Sequence, residues 1–208
     1  MATVLTLAKM SDDVYSKVGG NPIEGYRRLD LIADLDRINA RGDGFFGAVY
    51  VQGEAGVIAY RGSKEWSDWS DADVSIACSS LPIDQLGDAF GFFAAARQLL
   101  TRMGCKKIMV TGHSLGGGLA QLVAARVSTF PVVGVSFNAP GVAALSGAVR
   151  VPTGNASKVF NYRAMLDPVS MKGAHIGHSP VSIHGGGMHP IGPLIAALGG
   201  VLEGGIRH

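Results

Sequence analysis

The chain has 208 residues, 47% hydrophobic and 16% charged, with a net charge of +2. At a mean hydropathy of +0.26 it reads as one full-core domain over 1–208, since no shift in composition divides it. So small a charge, with no block of Lys or Arg, argues against nucleic acid as a partner, and the longest apolar run, 191–202, is too short to cross a bilayer. The first ten residues do not read as a signal peptide, because Lys9 comes late and Ser11-Asp12-Asp13 follows directly. The expectation is a soluble protein, with cytoplasmic residence and export by a signal-independent route both open. Two cysteines, Cys78 and Cys105, do not make a disulfide framework. Cys105 precedes an apolar run and is expected as a buried free thiol.

Apolar residues at helical spacing predict a helix over 3–18, stopped by Gly19-Gly20. A strand over 26–31 and a short helical turn over 34–41 follow. Residues 45–52, rich in Phe, Val and Tyr, read as a strand that returns through 53–56 into a second strand over 57–60. The Ser/Asp-rich stretch 64–80 holds both tryptophans, Trp66 and Trp69. Pro82 opens a helix that runs to Met103, with a broad apolar face suited to lying on a sheet. Strands over 107–111, 132–137 and 157–162 and a helix over 115–127 complete the regular pattern. Residues 170–189 are rich in Gly, His and Ser without periodicity, and 191–202 reads as a last helix. Strand alternating with helix across 82–163 predicts an α/β fold with a mostly parallel central sheet and helices on both faces.

The organising stretch is Gly112-His113-Ser114-Leu115-Gly116, a G-x-S-x-G between a β-branched strand and a helix. A strand that turns this sharply into a helix holds its serine in a strained conformation, with the hydroxyl clear of the sheet. A β-carbon at Gly112 or Gly116 would crowd the neighbouring strand and the helix start. The Leu115 N–H, at the helix N-terminus, is placed to donate to a developing oxyanion.

A serine hydroxyl needs a base, usually His, and an acid to orient that base. On this architecture the order is Ser, acid, His. Asp167 stands after the 157–162 strand, forced into extended backbone by Pro168, at the carboxyl edge where ligands meet such sheets. Five internal histidines compete for the base. His113 lies inside the elbow and points elsewhere, toward a core or hydrogen-bonding role. His189, ahead of Pro190 and the last helix, is the leading choice, with His178 and His184 as alternatives and His175 a loop residue. Ser63, after the permissive Gly62, is the second oxyanion donor, and Arg61 reads as a structural salt-bridge partner.

With these pieces placed, the sequence resembles the class 3 lipase family, the fungal-lipase-like branch of α/β-hydrolases. The resemblance rests on Tyr60-Arg61-Gly62-Ser63, Asp68-Trp69, Gly112 to Gly117, and Asn161 through Asp167-Pro168-Val169. It implies Ser114 as nucleophile, Asp167 as acid, Ser63 and Leu115 as oxyanion donors, and residues 64–73 as a small lid. Trp66 and Trp69 suit a lipid–water boundary there. The implied activity is hydrolysis of lipid esters, acylglycerols or phospholipids, with no metal or cofactor and with transient contact with a membrane surface. The rivals are an esterase for short soluble esters and a catalytically silent lipid-binding module. The departure from the family is at the end, where only 41 residues follow Asp167 and the loop to His189 is short.

Overall fold

A computed structural model describes residues 1–42, 44–63, 83–127, 132–147, 150–152 and 155–203. Its seven strands lie in one sheet in chain order: β1 (Arg27–Leu29), β2 (Gly47–Gln52), β3 (Ala55–Tyr60), β4 (Lys107–His113), β5 (Val132–Phe137), β6 (Val159–Ala164) and β7 (Val181–Ile183). The first three run antiparallel, the β2–β3 turn being made by Gly53 at φ +53°. From β3 to β7 every pairing is parallel, so the ends of β4, β5 and β6 share one edge. The expected α/β-hydrolase architecture is present.

Two apolar layers flank the sheet, and the period-2 alternation of the strands feeds both. Ile58, Tyr60, Ile108 and Val110 face α2 (Ala33–Asn39), α3 (Ile83–Arg102) and α4 (Leu115–Arg126). Val57, Ala59, Met109, Val135 and Phe137 face α1 (Val4–Asp13) and α5 (Ile191–Glu203). Residues 115–125 are all buried, because α4 packs on β3, β4 and β5 and is flanked by α3 and the 155–158 turn; this explains a helix with Ala, Leu and Gly on every side. Cys105 is buried as a free thiol; Cys78 lies outside the described residues.

Among the departures from the sequence reading, three bear on the site. Helix α1, capped by Thr3 through its bond to the Thr6 N–H, ends at Asp13 rather than residue 18. Strand β6 starts at Val159, because 155–158 form a 3₁₀ turn. Strand β7 falls within the stretch read as aperiodic. It is three residues long, exposed to half-buried, and so carries almost no hydrophobic alternation. The β6–β7 connection contains no helix. Side-chain amides hold it instead: Asn161 Nδ2 donates to the carbonyls of Ile176 and His178 (3.0 and 2.8 Å), and Gln121 Oε1 accepts from the Ile176 N–H. Among the described residues no helix is long and apolar enough to cross a membrane.

Candidate active site

Ser114 joins β4 to α4 at φ +57°, ψ −130°, outside the regions an L-residue ordinarily visits. Its backbone N–H donates to Phe137 of the neighbouring strand (3.0 Å), and its carbonyl accepts from Gly117 and Gly118. The side chain is not used as a helix cap. It is 2% exposed, and its Oγ makes no hydrogen bond among the described residues. A serine–histidine link is therefore not formed in this conformation, and such links commonly tighten only around substrate. The turn depends on close approach. A β-carbon on Gly112 would sit 2.4 Å from the Gly116 carbonyl carbon, and one on Gly116 would sit 2.1 Å from the Tyr60 oxygen.

The end of β6 places Asp167. Asp167 N–H closes a turn on the Ala164 carbonyl, which turns the carboxylate inward to full burial. Oδ2 accepts from the Ser170 N–H (2.9 Å) and Oδ1 from the Val169 N–H (3.3 Å). Oδ1 also accepts from His189 Nδ1 at 2.8 Å. A buried carboxylate needs such donors. Because a carboxylate only accepts, Nδ1 carries the proton, and in the neutral ring Nε2 keeps its lone pair. His189 is 4% exposed.

His178, His184 and His175 make no hydrogen bond to Asp167 among the described residues. His178 stacks on Phe160 with ring centres 4.6 Å apart and donates from Nε2 to the Ser157 carbonyl. His184 is exposed. His175 donates to the Ser170 carbonyl (2.9 Å), and burial lowers its pKa.

His113 has a role that sequence order does not reveal. Its Nε2 lies 2.8 Å from the His189 carbonyl, and the two rings are 4.7 Å apart. Complete burial, aided by the neighbouring His189, lowers its pKa to about 3, so the ring is neutral. Nε2–H donates to the carbonyl, and Nδ1 accepts from the Tyr15 hydroxyl (3.1 Å). Tyr15 in turn accepts from the Gly62 N–H, and burial raises its pKa to about 12. Asn138, at φ +45°, donates to the carbonyls of Met188 and His189 (3.1 and 2.9 Å) and accepts from the Ala164 N–H (2.7 Å). The backbone at His189 is thus fixed from two sides.

Tyr15→Phe leaves His113 Nδ1 and the Gly62 N–H without this partner, and a loss of about 2 kcal/mol of stability is expected, measured by urea unfolding. The depressed His113 pKa also sets a pH dependence. Above about pH 6.5 the ring is neutral folded and unfolded. Below it the unfolded chain binds a proton that the buried ring does not take, so this contribution is lost as the pH falls from about 6.5 toward about 3.

The proposed oxyanion donors flank the elbow. Leu115 is the first residue of α4, where helical N–H groups have no intrahelical acceptor. A β-carbon on Gly62 would meet the His113 carbonyl at 2.8 Å and Ser114 Cβ at 3.2 Å, so Ser63 follows directly on a residue in contact with the elbow. Arg61 is anchored otherwise than by the expected salt bridge. It is 9% exposed, donates to the Gly44 carbonyl (3.0 Å), lies over the Phe46 ring at 4.9 Å, and makes no ion pair among the described residues. Trp66, Trp69 and the lid expected over 64–73 lie outside the described residues.

The Tle-like phospholipase domain family matches residues 6–186. The chain is 32% identical over 143 residues to the extracellular phospholipase A1 of Serratia liquefaciens, an alignment covering 65% of this chain and 41% of that protein. The chain thus spans less than half the length of this relative. The crystal structure of a triacylglycerol lipase from Penicillium expansum superposes with a TM-score of 0.57 at 16% identity, covering 86% of this chain and 78% of the lipase, a likeness of fold. The strained serine turn, Asp167 at the end of β6 and the matched span agree, and the chain belongs to the Tle-like phospholipase domain family, a class 3 lipase-like family with the α/β-hydrolase fold.

Proposed function

We propose that this protein hydrolyses the acyl esters of phospholipids through Ser114, His189 and Asp167. The carrying observation is the 2.8 Å contact of His189 Nδ1 with buried Asp167, with the His189 ring 4.7 Å from that of His113, the chain neighbour of the strained Ser114. In this reading Ser114 Oγ attacks the acyl carbonyl as His189 Nε2 takes its proton. The Leu115 and Ser63 amides hold the tetrahedral oxyanion. Collapse breaks the ester bond, His189 protonates the departing alcohol, and the acyl group stays on Ser114. Water, deprotonated by His189, then releases the fatty acid and restores the serine. Each step uses groups of this chain and water. The family's description and the Serratia relative's name support phospholipid over short soluble esters.

Labelling with a fluorophosphonate probe tests the reading, because such probes report an activated serine. Ser114 is expected to be the modified residue, with labelling lost in Ser114→Ala and in His189→Ala. No labelling at Ser114 would reject the mechanism. Rates on butyrate, octanoate and palmitate nitrophenyl esters, set against a phospholipid, are expected to rank the phospholipid and long chains first.

A further inference from the structure

A cavity of about 550 Å³ lies beside the β1 edge of the sheet, within the ~300–1,000 Å³ range of small-molecule sites. Strand β1 stops at Leu29, opposite Val49, while β2 begins earlier, at Gly47. The Asn39 side chain fills part of that gap. Its Nδ2 donates to the Gly47 carbonyl (3.0 Å), and its Oδ1 accepts from the Gly47 N–H (2.8 Å). The rest stays open, walled by Leu29, Leu35, Phe46, Val49 and Phe92. Among the described residues the lining contains none of Ser63, Ser114, Leu115, Asp167 or His189. Through Phe46, whose carbonyl accepts from the Arg61 N–H (3.0 Å), the cavity adjoins the Tyr60–Ser63 segment without entering the proposed catalytic site.

The polar groups of the lining say what belongs inside. The Arg28 side chain is buried and engaged: it donates to Asp13 Oδ2 (3.0 Å) and to the Ser16 and Lys17 carbonyls (3.0 and 3.2 Å), and its Nε faces Asp30 Oδ1 at 3.1 Å. Asn39 is spent on Gly47. A wall whose polar atoms are already paired offers a guest no hydrogen bond, and water there finds few partners. The interior therefore suits hydrocarbon. The remaining charged lining residues, Lys17 and Asp36, are exposed and make no ion pair among the described residues. Two exposed apolar residues of the lining, Val18 and Leu31, join them. Leu31 is 92% exposed and stands at φ +59°, a region that a bulky side chain enters only at a cost. Such an outlier points to a task. Here an apolar side chain is held out in solvent beside an apolar cavity, where it can fold onto a chain that enters.

We propose that this cavity binds the hydrocarbon chain of a single-chain amphiphile, with Leu31 covering the chain and Lys17 meeting the headgroup anion. Fatty acids and lysophospholipids share that chemistry. Both are one-chain products of the hydrolysis proposed above, and the inference rests on that reading only for where the ligand comes from. Asp36 adds a partner for the cation of a zwitterionic head and offers nothing to a fatty acid.

The test uses Ser114→Ala protein, so that no ester is turned over. Isothermal titration calorimetry below the micellar range, with palmitate and with palmitoyl lysophosphatidylcholine, is expected to show saturable binding, and the tighter binder names the source of the chain. Lys17→Gln is expected to weaken binding about two- to fivefold, the size of an exposed ion pair. Leu29→Trp puts a ring into the cavity and is expected to weaken binding about tenfold or more. Leu31→Asn is expected to weaken binding while raising Tm, because asparagine tolerates left-handed backbone; a residue that serves the fold alone would not move the two in opposite senses. Photolysis of palmitate carrying a mid-chain diazirine is expected to mark peptides containing residues 29–35 and 46–49. Absence of binding would overturn the proposal, as would marking confined to residues 164–171 and 188–194, or affinity unchanged in folded Leu29→Trp protein. Where Leu29→Trp does not fold, Leu31→Asn decides, since its side chain is solvent-exposed. Failure of a fluorophosphonate to label Ser114 in the unmodified protein would strike the catalytic reading and leave the binding result standing.

Discussion

Asp167→Asn is expected to lower kcat by about 10⁴-fold with the fold and KM little changed. The argument is one of donors and acceptors. Asp167 accepts from two backbone N–H groups and from His189 Nδ1. An asparagine has one accepting oxygen, and the shorter of the two turn bonds, from the Ser170 N–H (2.9 Å), claims it. The amide NH₂ then faces His189 and can only donate, so Nδ1 must surrender its proton and Nε2 must carry one. An imidazole protonated at Nε2 has no lone pair there to take the Ser114 proton. The variant keeps its packing volume and loses only the long bond from the Val169 N–H (3.3 Å), so its unfolding curve should lie close to that of the parent while steady-state cleavage of a nitrophenyl ester collapses. Retention of more than about a tenth of the parental kcat would mean that Asp167 supports the loop and not the chemistry.

How much of this was readable beforehand follows from the range over which each contact acts. The elbow is local: glycines two residues either side of Ser114, a β-branched strand before and an Ala/Leu helix after it. Asp167 was legible through Pro168 and its place after a strand, and His189 through its place before the last helix. The support of His189 was not legible. Tyr15 and His113 are 98 residues apart, His113 and His189 are 76 apart, and neither Tyr15 nor Asn138 carries a local mark of its task. Tyr15 looked like one more apolar position of an N-terminal helix that in fact stops at Asp13. Strand β7 was hidden for the opposite reason. It is held by backbone pairing to β6 and by the Asn161 and Gln121 amides on the preceding loop, and these leave no period in residues 170–189. Arg61 was expected to find a carboxylate; among the described residues it found a ring face and a carbonyl instead, because burial against Phe46 offers a guanidinium a flat partner.

Gly116→Ala and Gly87→Ala are the same chemical change and are expected to act with opposite signs. Gly116 starts the second turn-side of the elbow helix, and a β-carbon there would stand 2.1 Å from the Tyr60 oxygen, 2.7 Å from its carbonyl carbon and 2.8 Å from the Arg61 carbonyl carbon. All three are backbone atoms at the end of β3, a strand paired on both sides, so no side chain can swing away. Either α4 or the Tyr60–Ser63 segment must shift, and a loss of about 3 kcal/mol is expected, equivalent to a fall in Tm of roughly 6–12 °C for a chain of this size. Gly87, in α3, has nothing within 4 Å of the added carbon, and alanine there gains about 0.5–1 kcal/mol by restricting the unfolded chain and improving helix propensity. Differential scanning calorimetry of the two variants measures both. The Gly116 variant has a second readout, because the segment it displaces ends at Ser63. If Ser63 N–H is an oxyanion donor, protein that remains folded should lose about 10²-fold in kcat, as expected for a displacement of about 1 Å in a positioned catalytic group. An unchanged Tm would contradict the close approach of α4 to β3. A lowered Tm with kcat intact would keep that approach and move the second oxyanion donor away from Ser63.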